Sequence, residues 1–187
     1  MPRVTDTRDR IVRAAEDVVI QEGVARLTLE AAAAEAGVSK GGVLYHFPTR
    51  AALVAAMVER FVVSFDADLE RYGAYGGQPG DFIRAYVEAT LRPTLEPGDL
   101  RTRRLGSALL ASVASDPELL APLRERFLAW QSSVEWDGVD PAVATVIRYA
   151  ADGMWLCDLF ELAPIREDHR RAVGDEMRAL IERACRP

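Results

Sequence analysis

The sequence predicts an all-α fold of about nine helices: three short ones, then a long connector and a larger helical domain. Three observations carry the prediction. Apolar residues return every three or four positions along most of the chain, which is the period of one helix face. Ser, Thr or Asp precede many of these runs and Gly or Pro follow them, as helix starts and stops require. No segment alternates apolar and polar residues convincingly enough to read as a strand, and no internal repeat is evident.

Residues 1–5 read as a loose arm. The first helix spans about Asp6 to Gln21, with Ile11, Ala14, Ala15, Val18 and Val19 as its buried stripe and Gly23 behind it. Thr28 is placed to cap a second helix, Leu29 to Ala36, because its hydroxyl can accept from a free backbone N–H. Leu29, Ala32, Ala33 and Ala36 face inward from that helix. Gly37 stops it, since glycine turns left-handed without steric cost, and Val38 plugs the turn. Ser39 caps a third helix, about Lys40 to Phe47, whose Leu44 and Phe47 are expected to point back at the second, and Pro48 ends it. Helix, short glycine-bearing turn and second helix make up the helix-turn-helix pattern.

A fourth helix starts near Thr49 and carries Leu53, Met57, Phe61 and Phe65 at helical spacing to about Arg71, long enough to bridge two domains. The stretch from Tyr72 to Gly80 has four glycines and a proline in nine residues and is the clearest loop. Asp81 is expected to cap helix five, about Phe82 to Arg92, which Pro93, Pro97 and Gly98 break. Asp99 is expected to cap helix six, about Leu100 to Ser115. Asp116-Pro117 signals another helical start, and Pro122 interrupts that segment before helix seven runs to about Val134. Asp137-Gly138 is a turn. Asp140-Pro141 opens helix eight, about Pro141 to Leu162, which Pro164 ends, and helix nine covers about Arg166 to Ala184. The expected division is a helix-turn-helix domain over 1–48 and a connector plus larger domain over 49–187.

Composition is that of an ordinary globular chain, with 49% apolar and 28% charged residues. No apolar run reaches the ~18 residues of a membrane span, and the start lacks a secretory apolar core, so the cytoplasm is expected. Cys157 and Cys185, 28 residues apart with no second ligand cluster, read as free thiols rather than a disulfide or zinc site. Residues 1–50 hold seven basic and seven acidic groups, so the remainder carries the whole net charge of −6. An acidic remainder suppresses non-specific sticking to nucleic acid, and a specific binder needs only a local basic face. The single lysine, Lys40, lies in the second helix of the motif.

The stretch AAAEAGVSKGGVLYHFPTRAALVAAM resembles the DNA-binding motif of the TetR (tetracycline-repressor-like) family of bacterial transcriptional regulators, over roughly Asp6 to Phe61. The resemblance implies a three-helix helix-turn-helix DNA-binding domain and a larger helical ligand-binding and dimerisation domain. It places phosphate contacts on Thr28, Ser39, Tyr45, His46 and Arg50, all chemically suited to phosphate oxygens. Family members usually carry Lys where Arg50 stands and a larger aliphatic residue where Ala32 stands. The recognition helix opens on Gly41 and Gly42, each costing roughly 1 kcal/mol in a helix relative to Ala, so bare backbone is expected to lie close to DNA. Lys40 can reach guanine O6 and N7, and Val43 can touch a thymine methyl. The drug-sensing branch is also similar in the segment AADGMWLCDLF.

One recognition helix per chain requires a two-fold dimer to read two half-sites. Helix eight, rich in apolar residues on most sides, is the candidate interface, and helix nine is amphipathic, with Val173, Met177, Leu180 and Ile181 in a stripe; the resemblance implies that these last two helices, about 141–162 and 166–184, form a four-helix dimer bundle with those of a second copy. The resemblance also implies an effector pocket, with Phe82, Tyr86, Leu109, Phe127, Trp130, Met154, Trp155 and Asp158 as candidate lining; the alternative is that these residues simply fill the core. Arg148 can pair with Asp152 one turn on, whereas Asp158 has no such same-helix partner and is the candidate for a cationic, bulky, aromatic effector. No cofactor and no metal are expected. There is no GxSxG elbow, P-loop or HExxH, and just two histidines, so catalysis is not expected. The alternative function is a helical protein-interaction module without specific DNA binding.

Overall fold

The computed structural model describes residues 7–91, 97–112, 121–163 and 165–185. They form helices α1 (Thr7–Glu22), α2 (Leu29–Ala36), α3 (Lys40–His46), α4 (Arg50–Arg71), α5 (Asp81–Leu91), α6 (Pro97–Ser112), α7 (Ala121–Glu135), α8 (Pro141–Leu159) and α9 (Glu167–Ala184), with one 3-10 turn at Val24–Arg26. The expected cap at Asp116-Pro117 and the stop at Pro164 lie outside the described residues. Packing divides the chain into two compact units: one of residues 1–62 and 96–124, the other of 63–95 and 125–187.

The first unit is built on α1. Ile11, Ala15 and Val19 recur every four residues and are buried, as are Ala32 and Ala36 of α2 and Leu53 and Met57 of α4. Thr28 Oγ1 accepts from the Ala31 N–H at 3.0 Å and closes the start of α2. Gly37 ends it with φ 63° and donates back to the Ala33 and Ala34 carbonyls. Ser39 Oγ accepts from the Gly42 N–H at 3.1 Å and starts α3. Val43 and Phe47, four apart, are the residues α3 turns inward. Leu44 does not point back at α2: it is 40% exposed, because it sits about 100° around the helix from the Val43 row.

Helix α6 belongs to this unit rather than to the remainder of the 49–187 segment. Leu105 and Leu109, one turn apart, are buried in the same core as Ile11 and Met57. Arg101, a turn earlier, ion-pairs with both Glu16 and Asp17 of α1. The helix begins at Pro97, not Leu100, since a proline in the first turn removes an N–H that has no partner there. The same reason lets Pro122 sit in the first turn of α7 without interrupting it.

In the second unit α5 lies between α8 and α9. Phe82, Ile83, Tyr86 and Val87 of α5 are buried with Trp130 and Val134 of α7, Ala144, Ile147 and Ala151 of α8, and Met177 and Ile181 of α9. Asp81 does not cap α5. Its Oδ2 accepts from the Gln78 N–H, and the free N–H groups of Phe82 and Ile83 donate instead to Asp137 Oδ1 and Oδ2 at 3.0 and 2.9 Å. Asp140 caps α8 by accepting from the Ala142 and Val143 N–H groups. That helix ends at Leu159 rather than Leu162: the Leu162 N–H donates back to the Cys157 carbonyl at 2.8 Å, and Glu161 takes a left-handed φ of 53°. Cys157 and Cys185 are free thiols.

Candidate functional site

The outer face of α3 is the candidate nucleic-acid interface. A seven-residue helix with Val43 and Phe47 turned inward must turn Lys40, Gly41, Leu44 and Tyr45 outward. Tyr45 is 85% exposed, far more than a core edge residue. His46 is half-buried and meets the Tyr45 ring edge-on, with centroids 5.0 Å apart. A Cβ at Gly41 or Gly42 would meet nothing but Ser39 and Val38 side-chain atoms, at 3.5–3.8 Å. No neighbouring helix therefore demands glycine at either position. Thr28 and Ser39 accept from backbone N–H groups, and each hydroxyl keeps its own proton to donate outward.

Two expected DNA-contact residues stand elsewhere. Val43 is 0% exposed and fills the core, so it has no surface to offer a thymine methyl. Arg50 points its fork back into the protein: Nε donates to the Leu27 carbonyl at 2.8 Å and Nη2 to the Val24 carbonyl at 2.7 Å. Those two bonds tie the first turn of α4 to the segment before α2, so the fork is not presented to a phosphate. Lys40 is outward but already partnered. Its Nζ lies 2.5 Å from Glu30 Oε1, and that hydrogen bond is the main cause holding the Glu30 carboxyl below its ordinary range. Glu30 gives no signal in the sequence, because ten residues and a turn separate it from Lys40.

In the second unit Phe82, Tyr86, Phe127 and Trp130 gather in one aromatic cluster. Its members include Phe65, with centroids 5.3 Å from Tyr86 and 4.9 Å from Trp130. Leu109 is not among them, since it lies in the core of the first unit. Met154 and Trp155 are half-buried. Asp158 is not available for a cation: Arg170 of α9 reaches its Oδ2 at 2.5 Å. A groove of about 410 Å³ beside α5 and α9, with Tyr72, Glu88, Leu91, Arg170 and Arg178 in its wall, contains none of the eight expected lining residues.

Among the polar groups that enter the aromatic cluster are Asp66, Asp152 and Arg148. Asp66 Oδ1 accepts from Arg126 and from the Trp130 indole. Asp152 Oδ1 accepts from the Tyr86 hydroxyl at 2.6 Å, and burial raises the Asp152 carboxyl above its ordinary range. Burial likewise raises the Tyr86 hydroxyl, with the Asp152 charge adding to it. The expected Arg148–Asp152 pair is present but long, with Nε 3.6 Å from Oδ2. Helical spacing alone puts Arg148 and Asp152 on one face but not at the aromatic cluster, because Tyr86 lies 66 residues away from Asp152.

Comparison with known proteins bears on both units. Residues 80–182 match the model of the tetracyclin repressor-like C-terminal domain. Residues 11–57 match that of the bacterial regulatory proteins of the tetR family. Over 54 residues the chain is 43% identical to the HTH-type transcriptional regulator TtgR of Pseudomonas putida, covering 29% of this chain and 26% of TtgR. The chain thus matches about a quarter of that relative's length. A solved member of the TetR family from Streptomyces coelicolor A3 is 27% identical, with TM-score 0.72 over 92% of this chain and 98% of that one. The multidrug binding protein EbrR complexed with imidazole is 27% identical, with TM-score 0.65 over 92% and 94%. A transcriptional regulator from Rhodococcus sp. Rha1 shares the fold at TM-score 0.75, with 22% identity over 97% and 100%.

Proposed function

The chain belongs to the tetR family of bacterial regulatory proteins, transcriptional regulators with a helix-turn-helix DNA-binding domain rather than enzymes, and we propose that it is a repressor released from its operator by a small-molecule effector. The observation that carries the DNA-binding part is the outer surface of α3: an 85% exposed Tyr45 and an exposed Lys40, with two glycines between them that no internal contact requires. Bare backbone there lets α3 seat close to the groove. Tyr45, His46, Thr28 and Ser39 donate to phosphates, and Lys40 reaches a base edge or phosphate once it leaves Glu30.

The operator is read by a homodimer. Val146, Tyr149, Leu156 and Phe160 are exposed on α8 and at its end, an apolar stripe that a second copy covers. Helix α9 flanks it with Val173 and Leu180, both half-buried. The effector is bulky and aromatic and includes cations in its range. Support comes from the aromatic cluster with its half-buried carboxylate Asp152, and from the likeness to a multidrug binding protein. Effector and DNA favour different arrangements of the dimer, so each weakens the other's binding by the same factor.

The test is fluorescence anisotropy with the DNA upstream of the coding region, over a salt series, with Lys40→Ala and Tyr45→Ala alongside. Saturable binding of two chains per site, weakened by both substitutions and steeply salt-dependent, is the expected result. Weak binding to any sequence, indifferent to both changes, would mean that the apolar face of α8 serves a protein-interaction module instead.

A further inference from the structure

Arg148 is 3% exposed, deep in the second unit. Its guanidinium carbon lies 5.1 Å from the centroid of Phe127, 5.6 Å from that of Tyr86 and 5.8 Å from that of Tyr149. Nη1 donates to Gln131 Oε1 at 2.6 Å. Among the described residues Nε has no hydrogen-bond partner, and the carboxylate oxygen it faces, Oδ2 of Asp152, stays 3.6 Å away. Asp152 is held instead by the Tyr86 hydroxyl.

As a permanent structural pair this is a poor arrangement. A buried N–H without an acceptor carries its full desolvation cost, and a well-packed apolar side chain stabilises a core at least as well as a buried ion pair. As a binding site it is a good one. Three aromatic faces, one carboxylate and one amide oxygen around a flat cation is how proteins hold delocalised organic cations. A long arginine side chain is also suited to leaving, because its flexible apolar stem can carry the charged head out of the cage.

We propose that Arg148 is a resident substitute for the effector, and that the cage of Tyr86, Phe127, Tyr149, Asp152 and Gln131 binds a planar organic cation (an amidinium, a guanidinium or a cationic heteroaromatic) when the Arg148 side chain swings out. The inference rests on the effector-responsive reading above and gives it a ligand class and a threshold. A tethered competitor acts at high effective concentration, so only ligands that outcompete a guanidinium for the rings and for Asp152 enter. Neutral planar compounds lack the attraction to Asp152, and a compact ammonium lacks the flat fit.

The probe is benzamidine, with the neutral isostere benzamide as control, titrated into the full chain without DNA and read by calorimetry and by the thermal unfolding midpoint. Arg148→Ala is expected to bind benzamidine about ten-fold or more tighter than the unsubstituted protein. Its unfolding midpoint rises with benzamidine and not with benzamide. Adding Asp152→Asn to Arg148→Ala removes about ten-fold or more of that affinity. Arg148→Met, which keeps the apolar stem, is made alongside in case the alanine variant does not fold. If neither folds, the unsubstituted protein and Asp152→Asn are compared with ethidium, a planar cation read by its fluorescence. Equal binding of benzamidine and benzamide, no gain on removing Arg148, or ethidium binding untouched by Asp152→Asn would each overturn the proposal. Because no DNA is present, a failure of the repressor reading leaves these results interpretable.

Discussion

Arg50 is exposed, yet its chemistry faces inward. Two of its N–H groups donate to the Leu27 and Val24 carbonyls, joining α4 to the turn ahead of α2. Charge-assisted bonds of this kind are worth about 1.5–3 kcal/mol each where shielded and less where water competes. Arg50→Ala is therefore expected to lower the unfolding free energy by about 1–3 kcal/mol, measured by urea denaturation. Arg50→Lys should recover little of it, since one ammonium cannot span two carbonyls with a fixed fork. Glu30 acts on Lys40. It holds Lys40 in an exposed ion pair, which must open if Lys40 is to make the proposed DNA contact. Such an exposed pair is weak and screened by salt, so Glu30→Gln is expected to tighten operator binding by about two- to five-fold and to steepen its salt dependence. An unchanged affinity in a salt-series titration would show that Lys40 keeps its partner on DNA. At this scale the sequence was legible where a side chain serves its own neighbourhood, as with the caps Thr28, Ser39 and Asp140. It was not legible for Val43 against Leu44, because a seven-residue helix gives too few turns to fix which of two adjacent apolar residues faces in.

At the scale of the elements, three helices of the first unit meet at one carboxylate. Glu16 of α1 takes Arg60 of α4 at 3.1 Å and Arg101 of α6 at 3.1 Å, and lies buried. Burial pushes its carboxyl above the ordinary value of 4.5 despite both arginines, so the folded protein holds that proton more tightly than the unfolded chain. A raised carboxyl contributes stability that is complete below pH 4.5 and is lost as pH rises through the folded value. Urea midpoints of the native chain should therefore gain a component on acidification towards pH 4.5 that Glu16→Gln lacks. Parallel pH profiles for the two proteins would refute it. In the second unit Asp137 closes α5 from 54 and 55 residues away. Asp137→Ala is expected to cost about 1–2 kcal/mol, the usual worth of an N-cap, whereas Asp81→Ala, whose carboxylate serves the Gln78 turn and Arg84, should leave the helix start intact. Helix bounds were readable from the sequence to within a few residues because period, caps and glycines are local. The true cap of α5 was not, since a nearby aspartate and a distant one offer the same chemistry and tertiary approach selects between them.

For the whole molecule, the proposed homodimer rests on the exposed apolar stripe of α8. Tyr149→Glu with Val146→Asp is expected to shift sedimentation to the 20.6 kDa single chain and to abolish tight operator binding without unfolding either unit. A single-chain species in the unsubstituted protein at micromolar concentration would remove the basis for the two-fold operator reading. By itself the sequence determined the fold class, the family and the helix-turn-helix, because helical period, the turn at Gly37 and the SKGG–LYHF spacing are all encoded locally. The tertiary structure decided the rest. It moved α6, with Leu109, into the DNA-binding unit through contacts with α1 across a separation of 85 residues. It paired Asp158 with Arg170 and left Arg148 beneath the aromatic rings with an unpaired N–H among the described residues. Which charge is satisfied and which is left over depends on side chains that meet only when distant helices pack, and no local pattern records that meeting.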